Sequence, residues 1–85
     1  MSSTERVLDV FDTAKLVANF LFKTGRILKA IELSKERLIL LKKMQMLCGL
    51  ASSSNHTRAI ENDRKYRECG EKYKEAVLSF ERAKL

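Results

Sequence analysis

Residues 20–27 read Phe20-Leu21-Phe22-Lys23-Thr24-Gly25-Arg26-Ile27, and on this stretch turns whether the chain forms two helices or three. Lys23 places a base where the carbonyls of a helix end collect, and Gly25 can take the left-handed conformation that closes helices. On that reading one helix stops near Lys23 and a second starts near Arg26. If the helix instead ran through, Gly25 would cost only about 1 kcal/mol relative to Ala. The two would then merge into one rod of roughly 65 Å at ~1.5 Å per residue. The chain is therefore expected to be all-α, a small antiparallel three-helix bundle over residues 1–85. A long two-helix hairpin is the alternative.

Working outward from the break, the first helix is placed at 4–23. Ser2, Ser3 and Thr4 offer an N-cap,. Val7, Val10, Phe11, Ala14, Val17, Ala18 and Leu21 recur at the three-and-four spacing of one helix face,. The second helix, 26–48, carries two apolar lines. One is Ile27, Ile31, Leu38, Leu41 and Cys48, with Ser34 and Gln45 in the same line; the other is Leu33, Leu40, Met44 and Leu47. So wide a face suits a central helix that touches two neighbours. Gly49 is expected to end it, and residues 49–56 to form the loop. The third helix, 57–84, is capped by Thr57 or Asn55. Its seam is Ala59, Asn62, Tyr66, Cys69, Tyr73, Ala76, Phe80 and Ala83,. Glu61–Lys65, Asp63–Arg67 and Glu68–Lys72 are acid-first pairs four apart, each adding roughly 0.2–0.5 kcal/mol.

Composition agrees with helix throughout. The 85 residues include no proline, where about four would be average,. A chain this short buries only roughly 60–65% of its unfolded surface, so its core is small. The net charge is +6, and the excess sits in residues 20–50, where seven bases face Glu32 and Glu36. Such a segment suits nucleic acid, anionic lipid or an acidic protein, or simply a solvated face. No run approaches the ~20 apolar residues of a membrane span. Leu16 to Phe22 is short, broken by Asn19 and preceded by acids, a poor signal peptide,. The two cysteines are therefore expected as reduced thiols in a cytoplasmic setting. Cys48 at the 49–56 turn and Cys69 some twelve residues up the third helix stand about 18 Å apart, too far for a disulfide. The terminal Ala83-Lys84-Leu85 differs from a peroxisomal address by Ala in place of Ser,.

The residues that do chemistry are few. His56 is the one histidine, and it sits in a Ser/Asn loop away from further ligands,. No glycine-rich phosphate loop or nucleophile elbow occurs. The carboxylates lie among lysines and arginines, a pattern of surface ion pairs and not of acid–base catalysis. No catalytic residue, cofactor, metal or small-molecule substrate is expected.

Association is the function the residues favour. Phe11, Tyr66, Tyr73 and Phe80 fall on core stripes. Leu8, Leu16, Phe20 and Phe22 leave the first helix's stripe, so that helix is apolar around much of its circumference near 16–22. A small bundle has few layers to cover it. Leu16, Phe20 and Phe22 are therefore the candidate contacts for a protein partner or for self-association, as in an adaptor or scaffold subunit. The second reading is a nucleic-acid module contacting phosphates through Arg26, Lys29, Lys35, Lys42 and Lys43. A third, an amphipathic helix on an anionic membrane surface, needs the central helix to give up its apolar face.

Residues 70–83, Gly-Glu-Lys-Tyr-Lys-Glu-Ala-Val-Leu-Ser-Phe-Glu-Arg-Ala, resemble the second helix of a tetratricopeptide or a microtubule-interacting-and-transport hairpin. Ala76, Phe80 and Ala83 carry the small-large-small spacing. The preceding helix departs from the partner pattern, and no family is assigned.

Overall fold

The computed structural model describes the backbone of residues 3–51 and 56–84 and the side chains of 5–47 and 57–84. Three helices follow one another: α1 (Ser3–Lys23), α2 (Ile27–Ala51) and α3 (His56–Lys84). They form a small three-helix bundle. Its elongated shape, 46 × 22 × 14 Å, follows from helix length: 29 residues of α3 span about 44 Å at ~1.5 Å each,. Helix α2 is central and packs along both neighbours, while α1 and α3 meet over a shorter stretch.

The break at Gly25 is complete. Gly25 has φ 84°, the left-handed conformation. The Arg26 N–H donates to the Leu21 carbonyl at 2.8 Å and the Gly25 N–H to the Phe22 carbonyl at 3.1 Å. These are the two crossed bonds of a Schellman cap. The Thr24 hydroxyl donates to the Phe20 and Leu21 carbonyls at 3.0 and 3.1 Å. Carbonyls that a continuing helix would have satisfied are thus satisfied locally, and the chain turns back.

Two clusters make the core. Near the α2–α3 end, Phe11, Leu41, Tyr66, Cys69 and Tyr73 pack with Val7, Leu8, Leu38 and Met44 at their edge. Near the α1–α2 turn, Ala18, Ala30, Ile31 and Phe80 pack with Leu21, Phe22, Ile27, Leu33 and Ala76. Phe11 pairs with Leu41, and Ala18 with Ala30, only if α1 and α2 are antiparallel. Ala18 and Ala30 are fully buried, and their small side chains let the two backbones approach closely,. Tyr73 crosses the bundle: its ring meets Phe11 edge-on at 6.2 Å, and its hydroxyl donates to the Phe11 carbonyl. This ties α3 to α1 where their contact is slight.

Several expectations need correction. Helix α2 passes through Gly49 to Ala51, so Gly49 is not its end; one interior glycine costs too little to stop a helix. Val10 and Val17 point outward, 62% and 47% exposed, although they share the α1 stripe with buried Phe11 and Ala18. With only two neighbours, α1 buries the arc around Phe11 and Ala18 and leaves its flank in solvent. Leu40 and Leu47 of the second α2 line are exposed, whereas Leu33 and Met44 turn inward. Ala83 of the α3 seam is exposed, and Val77, outside that seam, is buried. Glu61–Lys65 and Asp63–Arg67 form ion pairs at 3.6 and 2.8 Å, but Glu68 takes Arg64, not Lys72, at 3.5 Å. Helix α3 starts at His56, so His56 is helical and not a loop residue, and Thr57 lies inside the helix and does not cap it; the N-cap at Ser2, the α3 cap at Asn55, Leu85 and the side chains of Cys48 and His56 lie outside the described residues.

Candidate protein interaction surface

The outer side of α1 is apolar. At about 100° per residue, Val10, Thr13, Leu16, Val17 and Phe20 fall within a band roughly 120° wide, opposite the buried Phe11 and Ala18,. Leu16 is 67% and Phe20 65% exposed. Both candidate residues therefore stand together in solvent, one helical turn apart. Phe22 does not join them. Two residues beyond Phe20 it has rotated by about 200°, and its ring stacks on Phe80 with centroids 4.9 Å apart. Phe22 is partly buried against the cluster around Phe80, and the outward face gains Val10 and Val17 in its stead.

The apolar band continues onto α2. In the antiparallel hairpin, Val10 and Val17 occupy the flank of α1 nearest α2. Leu40 and Leu47 occupy the facing flank of α2 and are also exposed. The four border one helix–helix junction on the side away from α3. Asp9 stands within the α1 band and Lys23 at its C-terminal edge. Both are exposed, and neither forms an ion pair among the described residues.

The basic residues of the second reading are exposed but do not share a face. Lys29 and Lys43 lie within about 40° of each other and Lys35 and Lys42 within about 20°, while the two pairs stand about 110° apart,. Arg26 sits at the turn. Glu36 falls between Lys29 and Lys43, with Glu32 beside Lys43, and Lys35 Nζ pairs with Glu81 Oε1 across to α3 at 3.0 Å. The positive charge that is clustered along the chain is dispersed around the helix.

Grooves elsewhere are shallow. Leu28, Ile31, Lys35, Leu78 and Glu81 line one of about 420 Å³ between α2 and α3, bridged by the Lys35–Glu81 pair. A smaller one between α1 and α3 holds Leu8, Asp12 and Cys69 beside Lys65, Glu68 and Lys72. Burial pushes the Cys69 thiol pKa up, with the nearby Asp12 carboxylate adding to the shift. A raised pKa keeps the thiol protonated and unreactive. Among the described residues no group of three or more His, Cys, Asp or Glu is placed to hold a metal, and no helix is long and apolar enough to cross a membrane.

Comparison of the chain with protein-family models, with curated proteins and with solved structures finds no match.

Proposed function

We propose that this chain is a non-enzymatic protein–protein interaction module, an adaptor or scaffold subunit, that associates through the outer face of α1. The observation that carries the reading is the solvent exposure of Leu16, Val17 and Phe20 together on a helix whose opposite side already fills the core. Contiguous apolar surface of this kind marks association sites in small domains. The dispersed lysines favour it over phosphate recognition, which needs bases on one side. A reducing, cytoplasmic setting belongs to the same reading, in keeping with Cys69 as a buried free thiol.

Affinity capture from a lysate tests it, with the wild-type chain and with Phe20→Asp, each with and without nuclease. A protein retained by the wild type after nuclease and lost with Phe20→Asp supports the module. Capture that vanishes with nuclease, or is indifferent to Phe20→Asp, refutes it.

A further inference from the structure

We infer that the partner seated on this face is a second copy of the same chain, with the two α1 helices packed antiparallel across a two-fold axis near Leu16. The inference rests on the association reading and specifies its occupant.

Spacing is the first argument. Val10, Thr13, Val17 and Phe20 follow one another at three-four-three, the seam by which helices pack side by side,. The core stripe of α1 is a separate line, centred on Phe11 and Ala18. A second helix can therefore be received without opening the bundle.

Charge sets the direction. Asp9 and Lys23 are each seven residues from Leu16, at opposite ends of the seam. In a parallel pair, Asp9 would meet Asp9 and Lys23 would meet Lys23. In an antiparallel pair, Asp9 of each copy comes level with Lys23 of the other, twice over by symmetry. Neither side chain has an ion-pair partner among the described residues of its own chain, so both can make that exchange. A self-complementary patch of this kind is what an isologous two-fold interface requires.

Area is the third argument. The apolar patch within reach of a partner α1 comprises Val10, Leu16, Val17 and Phe20 with Leu40 on the α2 flank. Counting roughly 30 Å² per methylene-sized group and about 200 Å² for a whole phenyl side chain, their exposed portions come to roughly 350 Å² per chain. A standard interface takes about 800 Å² per partner, about 65% of it apolar in homodimers, hence about 520 Å². The patch supplies about two thirds of the apolar area of a standard homodimer interface and is too large to be covered by a single docked side chain.

Sedimentation equilibrium of the full chain over a range of concentrations is the test, with helicity followed in parallel. The wild type should populate a dimer. Asp9→Lys and Lys23→Asp should each weaken it, by about fivefold if each of the two symmetric pairs is an ordinary exposed ion pair. An equimolar mixture of the two variants should recover the lost affinity as a heterodimer. One chain then carries lysine at both positions and the other aspartate at both, so opposite charges meet at each end of the seam. Phe20→Asp should be monomeric and still helical. A monomer at every concentration overturns the self-association; if Phe20→Asp nonetheless abolishes capture of another protein, the association reading survives and only its occupant changes. A dimer whose affinity ignores both charge changes overturns the antiparallel α1 pairing.

Discussion

Gly25→Ala and Gly70→Ala should change stability in opposite directions, and the sign at Gly25 separates a three-helix bundle from a two-helix hairpin. Gly25 has φ 84°, and a Cβ there would meet nothing within 4 Å. Its cost is therefore purely conformational, about 1–2 kcal/mol for an L-residue held in the left-handed region. Gly70 lies inside α3, where a Cβ would meet Leu41 Cδ2 at 3.7 Å and Leu38 Cδ1 at 3.8 Å, ordinary contact distances. There Ala gains the full helix-propensity difference of about 0.8–1 kcal/mol. For a domain of this size, 1 kcal/mol moves Tm by roughly 4–8 °C. Thermal melts followed by circular dichroism should show Gly25→Ala lower by about 4–16 °C and Gly70→Ala higher by about 3–8 °C. In a continuous α1–α2 rod, Gly25 would be an ordinary helix interior residue, and Ala would stabilise. A melt in which Gly25→Ala gains stability refutes the Schellman turn.

Three further outcomes follow from the packing. Ser34 is fully buried with no hydrogen-bond partner for its hydroxyl among the described residues, so Ser34→Ala should stabilise by about 1–2 kcal/mol in urea titrations, from desolvation relieved and helix propensity gained. Burial pushes the Tyr73 hydroxyl pKa up to about 12, with Cys69 and Asp12 adding to the shift. A raised folded-state pKa gives stability that is full below about pH 10 and lost as pH rises toward 12. Tyr73→Phe should be about 1 kcal/mol less stable at neutral pH, from the lost bond to the Phe11 carbonyl,, and should lack that alkaline decline; parallel declines in the two chains would contradict the assignment. Phe22→Ala should cost about 2 kcal/mol through the packing lost against Phe80,, whereas the same truncation of Phe20, measured in dilute solution, should lie within about 0.5 kcal/mol of wild type.

The helices, their order and most of the core were legible because helix periodicity and glycine chemistry are local. Gly25 follows a base and a threonine, and the threonine hydroxyl and the glycine N–H both find partners in the turn. Tyr66, Cys69, Tyr73 and Phe80 fall on one α3 seam, and all four are buried. What was not legible depends on neighbours. In α1 two apolar lines compete, and the sequence does not say which meets α2 and α3; Val10 and Val17 share a stripe with Phe11 yet stay outside. Phe20 and Phe22 look alike because both leave the main stripe, but two residues carry a side chain to the other side of a helix. The basic segment reads as one patch because its lysines are close in sequence. Around α2 they divide, and Glu32 and Glu36 interrupt them. Ala30 carries too weak a hydrophobic signal to be singled out, and Val77 lies four residues after Tyr73, beside the three-four seam and not on it.

On the proposed reading the outer face of α1 joins two copies of the chain and adds little to the fold of either. The concentration dependence of Tm, measured for the wild type and for Phe20→Asp, tests it most directly, because association with a folded chain raises Tm by mass action. The wild-type Tm should climb with concentration, the Phe20→Asp Tm should not, and the two should converge at high dilution. A wild-type Tm that ignores concentration would rule out the dimer, and a Phe20→Asp chain that melts far below the wild type at every concentration would place Phe20 in the core.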